Sequence, residues 1–123
     1  MGIRCLVVDD NRSFLNAARV LLEREGLTIA GVASTGAEAL REAEALQPDV
    51  ILVDISLGNE SGFDVVRDLV DNSPVDGATV ILISTHSRAD FADLIAESPA
   101  AGFVPKSELS AGAIRTILEA RAG

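Results

Sequence analysis

Short apolar runs alternate with segments of helical spacing along the chain. The apolar runs are rich in β-branched residues and too short to be helices, so we interpret them as strands. Between them, apolar residues recur three and four positions apart, which is typical of amphipathic helices. The pattern therefore predicts five strand–helix units. The predicted strands are Ile3–Val8, Leu27–Ala33, Val50–Val53, Thr79–Ile83 and Gly102–Val104.

Residues that commonly begin helices stand before several of the helical segments. Thr35 and Glu38 have the spacing of a capping box and predict a second helix that ends near Leu46. Ser87 and Asp90 predict the start of the fourth helix. The first helix is predicted to stop at Gly26, and its apolar face consists of Phe14, Ala17, Ala18, Leu21 and Leu22. The third helix is predicted to follow Ser61, with Asp64 in its first turn. The fifth is predicted to run from Leu109 to Ala122.

Alternating strands and helices favour an α/β fold built on a parallel sheet with right-handed crossovers. The chain has 123 residues with no internal repeat or linker, so we expect a single domain over residues 1–123. Aromatic residues make up only 3%, and an aliphatic core suits parallel strands covered by helices on both faces. Ligands of such sheets bind beyond the carboxyl ends of the strands, where we expect a site.

The overall charge and the single cysteine argue against several classes of function. A formal net charge of −9 disfavours direct nucleic-acid binding, which needs a positive patch. The apolar stretches are too short to span a membrane, and no signal peptide is visible, so we expect a cytoplasmic protein. Cys5 is the only cysteine, which excludes an internal disulfide, and its place in an apolar run predicts a buried, inert thiol.

Polar side chains follow four of the predicted strands. Asp9 and Asp10 follow the first, Asp54 the third, Ser84 the fourth and Lys106 the fifth. Parallel strands bring their carboxyl ends to one edge, so these groups are expected to share one pocket. Clustered carboxylates repel one another unless a cation intervenes, and oxygen ligands suit Mg²⁺. A carboxylate in such a pocket is able to attack phosphorus and form an aspartyl phosphate.

Four motifs, in order along the chain, resemble those of the receiver domain of two-component response regulators. Each motif is weak alone, but all four at this spacing form a specific signal that covers the whole chain. The resemblance implies a flavodoxin-like, doubly wound sheet of five parallel strands in the order 2-1-3-4-5, with five helices. The motifs are VVDD at 7–10, LVDISLGNESG at 52–62, LIST at 82–85 and AAGFVPKS at 100–107.

The resemblance also implies roles for the residues of the pocket. Asp54 would accept a phosphoryl group from a phosphohistidine, and Lys106 would contact that group. Asp10 would bind Mg²⁺ directly, Asp9 would help through a bound water, and the backbone carbonyl of Ser56 would complete the metal site. The metal-binding residues implied are therefore Asp9, Asp10, Asp54 and Ser56.

A switch pair, Ser84 and Phe103, is implied as well. Ser84 would move towards a phosphoryl oxygen and Phe103 would turn inward, which alters the surface of the fourth helix, fifth strand and fifth helix. The expected donor is a histidine kinase or a phosphotransfer protein. An output domain or a separate protein is expected on the altered surface, and dimerisation on phosphorylation is a further expectation.

Two other functions are alternatives to a phosphoacceptor. A Mg²⁺-dependent phosphatase with an aspartyl nucleophile generally needs a second acid two residues later, where this chain has Ser56, so we do not expect turnover of external substrates. A receiver fold that works as an interaction module without phosphorylation would be expected to lose Asp54, the acidic pair or Lys106, and this chain has them all.

Two questions stay open at the level of the sequence. Pro105 precedes Lys106, where the family usually has a proline after the lysine, so the isomer of the Val104–Pro105 bond is not fixed by the resemblance. The chain ends directly after the fifth predicted helix, so it is either a stand-alone receiver or a receiver taken from a longer regulator.

Overall fold

The computed structural model describes residues 2–71 and 77–122. It contains a five-stranded sheet, with strands numbered β1 to β5, and the α-helices α1 to α5, which alternate with them. The strands are β1 Arg4–Val8, β2 Thr28–Ala33, β3 Val50–Asp54, β4 Thr79–Ser84 and β5 Gly102–Pro105. The helices are α1 Arg12–Arg24, α2 Gly36–Leu46, α3 Gly62–Asp71, α4 Ala92–Glu97 and α5 Ala111–Ala122.

All strands of this sheet run parallel, in the order β2-β1-β3-β4-β5. The predicted α/β fold and the order 2-1-3-4-5 are therefore confirmed. The order reverses between β1 and β3, where Val8 lies beside Val53. A doubly wound sheet binds ligands at this point of reversal, beyond the carboxyl ends of the strands.

Successive residues of the strands supply two hydrophobic layers, one on each face of the sheet. One layer packs against α2 and α3, and the other packs against α1 and α5. On β1, Leu6 and Val8 belong to the first layer, while Cys5 and Val7 belong to the second, because side chains alternate along a strand. Burial raises the pKa of the Cys5 thiol to about 12, which agrees with the predicted inert cysteine. No helix in the described ranges has the length and apolarity needed to cross a membrane.

The buried face of α1 differs from the predicted face. Leu15, Ala18 and Leu22 are buried, whereas Leu21 is 36% exposed and Phe14 is only partly covered. The apolar stripe of this helix is wider than the side that meets the core, so helical spacing alone fits either face. The surplus apolar side chains lie at the surface beside the loop that follows β5.

Helix α5 begins at Ala111 rather than at the predicted Leu109. The hydroxyl of Ser110 accepts a hydrogen bond of 3.0 Å from the amide of Ala113. Glu25, at the end of α1, accepts a bond of 2.7 Å from the amide of Ala111. These two acceptors satisfy free amides of the first helical turn, and one of them comes from a distant part of the sequence.

The two predicted helix caps are present, with differences in detail. The hydroxyl of Thr35 accepts a 3.1 Å bond from the amide of Glu38, as predicted, but Glu38 reaches back to Ser34 instead of Thr35. Asp90 accepts a 3.3 Å bond from the amide of Ser87. The residues after Ser87 form a 3₁₀ turn, and α4 itself begins only after this turn.

Candidate functional site

The carboxyl-terminal edge of the sheet brings together the predicted polar residues. Asp54 and Ser84 are the last residues of β3 and β4, while Asp9 and Lys106 follow directly after β1 and β5. The strands are in register at this edge, with Asp54 beside Ile83 on the neighbouring strand. The spatial grouping expected from four separate stretches of sequence is therefore present.

Three carboxylates lie close together at the centre of this edge. One oxygen from each of Asp9, Asp10 and Asp54 lies within 4.8 Å of the others. Asp9 is fully buried and Asp54 is 6% exposed, whereas Asp10 is open to solvent. The amide of Asn11 donates a 2.9 Å hydrogen bond to Oδ1 of Asp9 and holds that side chain in place. Such close negative charges repel one another strongly in a site shielded from water.

Lys106 lies between the two buried carboxylates. Its Nζ is 2.6 Å from Oδ2 of Asp9 and 3.3 Å from Oδ2 of Asp54. The ammonium group also sits 4.2 Å from the centre of the Phe14 ring, within the range of a cation–π contact. The short contact with Asp9 is an ion pair without hydrogen-bond geometry, so within the described residues this buried oxygen has no hydrogen-bond partner.

Asp54 has an environment that favours its protonated form more than water does. Burial raises the pKa of the Asp54 carboxyl above its ordinary value, and the charge of Asp9 raises it further. Lys106 and the amide of Ser56 act in the opposite direction, the latter through a 3.2 Å hydrogen bond to Oδ1. The net result is a carboxylate that is poorly solvated and more basic than a surface aspartate, properties that suit a nucleophile.

The loop after Asp54 is folded tightly against the sheet. Residues 56–57 and 60–61 pair as a small antiparallel hairpin, and the carboxylate of Glu60 accepts bonds of 3.0 and 3.3 Å from the amide of Gly36 at the start of α2. Gly62 closes the hairpin; a Cβ atom there would lie 2.0 Å from the carbonyl oxygen of Asp54. Only glycine permits this approach, which fixes the position of Ser56 relative to Asp54.

The arrangement fits a small divalent cation. Three carboxylates converge with one oxygen of each within 4.8 Å of the others, and hard oxygen donors are the ligands that Mg²⁺ prefers. Ser56 lies two residues after Asp54, and its amide donates a hydrogen bond to the Asp54 carboxylate. The direct role of Asp10 and the role of the Ser56 carbonyl stay predictions.

The hydroxyl of Ser84 is buried and engaged by the loop that follows it. Ser84 is 2% exposed, and its Oγ accepts a 3.0 Å hydrogen bond from the amide of His86. Nδ1 of the same histidine lies 3.5 Å from Oγ, and the His86 ring packs edge-on against Phe91. Ser84 thus lies at the edge of the site, and its hydroxyl is hydrogen-bonded to His86 in the segment that leads into α4.

Phe103 already occupies the inward position. Its side chain is 4% exposed and belongs to the hydrophobic layer on the α2 and α3 side of the sheet. Arg88 contacts it from the solvent side: Nη2 donates a 3.2 Å bond to the Phe103 carbonyl, and Cζ is 5.4 Å from the ring centre. The Val104–Pro105 bond that follows is trans.

Sequence reasoning missed the contacts made by three residues. Phe14 was assigned to the core of α1, but it lies beside the ammonium group of Lys106. His86 and Arg88 stand between β4 and α4, His86 two residues after Ser84 and Arg88 directly after Ser87, and neither spacing predicts the contacts that these side chains make. The basic charge of Arg88, four residues after Ser84, was the available signal for its contact with Phe103.

Comparison with known families identifies the class of domain that this fold and site define. The family model described as "Response regulator receiver domain" matches residues 5–119 of the chain. The chain therefore belongs to the receiver domain family of two-component response regulators.

Individual relatives agree with this assignment. A protein described as a putative transcriptional regulator of Pseudomonas aeruginosa is 36% identical over 105 residues, which are 85% of this chain and 50% of that protein. The response regulator GacA of Pseudomonas viridiflava is 31% identical, over 85% of this chain and 48% of its own length. The chain thus spans about half the length of these curated relatives.

Solved structures give the same picture. The receiver domain of the putative response regulator NarL from Mycobacterium tuberculosis superposes with a TM-score of 0.82 at 26% identity, covering 99% of this chain and 98% of that one. A response regulator from Burkholderia pseudomallei, solved with a phosphorylated aspartic acid, a calcium ion and citrate, has a TM-score of 0.77 at 27% identity. That match covers 98% of this chain and 71% of the other.

Proposed function

We propose that Asp54 accepts a phosphoryl group from a phosphohistidine on a histidine kinase or a phosphotransfer protein. The observation that carries this proposal is the environment of Asp54. Its buried carboxylate contacts Lys106 at 3.3 Å and lies within one cluster with Asp9 and Asp10. Family membership supports the proposal, and so does the phosphorylated aspartic acid in the Burkholderia relative.

The proposed transfer forms one bond and breaks one. A carboxylate oxygen of Asp54 attacks phosphorus, the P–N bond to the donor imidazole breaks, and the imidazole leaves with the electron pair. The product is an acyl phosphate on Asp54. Phosphoryl transfer needs positioning and charge neutralisation more than acid or base chemistry. Lys106, which lies beside Asp9 and Asp54 in the unmodified protein, would balance the added phosphoryl charge.

The residues that would hold Mg²⁺ in this proposal are Asp10, Asp54 and the carbonyl of Ser56, with Asp9 acting through water. The ion would neutralise phosphoryl oxygens while the new bond forms. The calcium ion in the Burkholderia relative supports a divalent cation in receivers of this kind. The chain's own contribution is the hairpin that begins at Ser56, which holds the Ser56 backbone beside Asp54.

The proposed output is a change in the α4-β5-α5 surface. Ser84 would exchange its bond with His86 for one with the phosphoryl group, which would release the loop into α4. Helix α4 is short, and its Leu94 is 50% exposed, so this element has little packing to resist rearrangement. Phe103, buried on β5 beneath the same surface, would transmit the state of the site to it.

The partners follow from this surface and from the relatives. We infer that an output domain or a separate protein binds the α4-β5-α5 surface, and that phosphorylation promotes a homodimer there. The chain covers only about half of relatives such as the putative transcriptional regulator. We propose a cytoplasmic receiver that does not itself bind nucleic acid, in keeping with its net charge of −9, and that turns over no external substrate.

Intact-protein mass spectrometry tests the proposal directly. The protein is incubated with Mg²⁺ and acetyl phosphate, alongside Asp54→Asn, a sample with EDTA, and Asp64→Asn as a matched control on the exposed face of α3. We expect one phosphoryl adduct on the wild type and on Asp64→Asn, and none in the other two samples. An adduct that persists in Asp54→Asn would overturn the assignment of the acceptor. Failure of the wild type with both acetyl phosphate and a phosphohistidine donor would favour the phosphorylation-independent interaction module.

A further inference from the structure

The loop between β4 and α4 contacts both members of the proposed switch pair. Through His86 it holds the hydroxyl of Ser84, and through Arg88 it holds Phe103 on the neighbouring strand β5. Ser84 is paired in register with Pro105, so the two strands that carry the switch residues are adjacent here. The loop therefore bridges the two positions whose movements have to be coordinated.

The contact between Arg88 and Phe103 involves two different parts of the phenylalanine. The guanidinium donates a 3.2 Å hydrogen bond to its backbone carbonyl, and the same planar group lies 5.4 Å from the centre of its ring. A planar cation is able to stack on an aromatic face while its N–H groups bond elsewhere, which lysine does less well. One side chain thus fixes both the strand position and the orientation of the ring.

Phe103 would lose this cover if it turned outward. Its ring is 4% exposed within the hydrophobic layer, and Arg88 is itself exposed on the solvent side. Rotation towards solvent would break the ring contact and expose apolar surface at the same time. The hydrogen bond from Arg88 to the Phe103 carbonyl would still hold β5 in place, but it would not favour either position of the ring.

We propose that Arg88 is a positioning residue that holds Phe103 inward before any phosphoryl group arrives. This inference rests on the proposed function in one respect: the inward ring is the orientation that the phosphorylated state requires. In a domain that already favours that orientation, less of the binding free energy is used for the conformational change. Its apparent affinity for a phosphoryl group or a phosphoryl mimic is therefore higher.

Fluorine NMR of protein labelled with fluorophenylalanine tests the positioning role alone. The chain has four phenylalanines, so four signals are expected, and Phe103→Leu assigns the relevant one. In Arg88→Ala we expect only the Phe103 signal to shift towards the solvent-exposed value; in Arg88→Lys we expect a smaller shift. Arg67→Ala, at an exposed arginine on α3, is the matched control and leaves all four signals in place. An unchanged Phe103 signal in Arg88→Ala would overturn the proposal.

Binding of beryllium fluoride with Mg²⁺, a phosphoryl mimic, tests the link to the acceptor site. We expect Arg88→Ala to weaken binding by about five- to tenfold, and Arg67→Ala to leave it unchanged. Equal affinity of Arg88→Ala and wild type would overturn the proposed bias even if the Phe103 signal moves. If the wild type itself does not bind the mimic, the proposed function fails, while the fluorine signals still decide the role of Arg88.

Discussion

Lys106 balances two buried carboxylates at once. Asp9 is fully buried and the lysine side chain is 11% exposed, so water contributes little to the solvation of either charge. Asp54, only 3.3 Å from the same nitrogen, completes a triad with one net negative charge. A buried triad of this kind adds little to stability when intact, but removal of its cation leaves two carboxylates without a counter-charge.

Replacing the lysine should therefore destabilise the domain in the absence of metal. For Lys106→Met we expect a loss of about 3 kcal/mol in the free energy of unfolding, measured by urea denaturation in EDTA. Added Mg²⁺ should restore part of the loss, since it supplies the missing positive charge. The control is Arg67→Met, at a surface ion pair with exposed partners, where we expect a change below about 1 kcal/mol. Equal effects of both substitutions would contradict this account of Lys106.

The raised pKa of Asp54 predicts a pH-dependent gain in stability on substitution by asparagine. In the folded protein the carboxyl keeps its proton to a higher pH than in the unfolded chain, because of burial and Asp9. The folded state of the wild type therefore becomes relatively more stable as pH falls through that raised pKa. We expect Asp54→Asn in EDTA to melt above the wild type at pH 7, with the difference shrinking towards acid pH. A difference that is constant between pH 4 and pH 7 would show that the pKa is not raised.

Among the elements, α3 and the hairpin before it pack against the site. Gly62 begins α3 directly against the backbone of Asp54, and its amide bonds to the carbonyl of Ile55 at 2.7 Å. On its other side the hairpin is held by Glu60, whose carboxylate accepts a hydrogen bond from the amide of Gly36 at the start of α2. A shift of α3 would therefore move the acceptor strand and the proposed metal-binding backbone together.

Gly62→Ala should disrupt this junction. A Cβ would meet the Asp54 carbonyl oxygen at 2.0 Å, and backbone has little freedom to yield, so we expect a loss of about 3 kcal/mol or more, or failure to fold. Gly112→Ala, in the first turn of α5, is the matched control. The nearest atom there is 3.7 Å away, and alanine favours the helix, so thermal unfolding should show a gain of up to about 1 kcal/mol. Tolerance of alanine at position 62 would contradict the structure of the hairpin.

The sequence predicted elements well where a physical pattern was strong. Apolar runs rich in β-branched residues were clearest for β3 and β4, because strands buried on both faces leave few polar positions. The start of α5 was misplaced because one of its caps, Glu25, comes from 86 residues away. The site was predictable because parallel strands end at one edge, so Asp9, Asp54 and Lys106 had to meet. The contact between Arg88 and Phe103 was not predictable, since it depends on where the 3₁₀ turn after Ser87 places the arginine relative to β5.

For the molecule as a whole, the site is the place where four of the five strands meet. Whatever binds between Asp10, Asp54 and Lys106 contacts the ends of β1, β3 and β5 and the loops after them. A ligand at this edge contacts several strands and therefore requires the folded sheet. Since such a ligand binds only the folded state, it raises the unfolding temperature.

Mg²⁺ should stabilise the whole domain measurably. At about tenfold excess over its dissociation constant, we expect the midpoint of thermal unfolding to rise by about 3–6 °C. Asp10→Asn should abolish the rise without lowering the midpoint in EDTA, because Asp10 is exposed and is not one of the buried charges. Asp64→Asn, on the surface of α3, should respond like the wild type. A full response in Asp10→Asn would remove Asp10 from the metal site.

Because the thiol of Cys5 is buried, the native protein is suited to labelling with a fluorescent dye at a newly introduced cysteine. The Cys5 thiol is fully buried, and with a pKa of about 12 it holds almost no thiolate at neutral pH. A new cysteine at the exposed position of Leu94 would therefore be the group that a maleimide dye labels. Since the chain has no Trp or Tyr, a dye on α4 would be the single strong fluorophore of the protein.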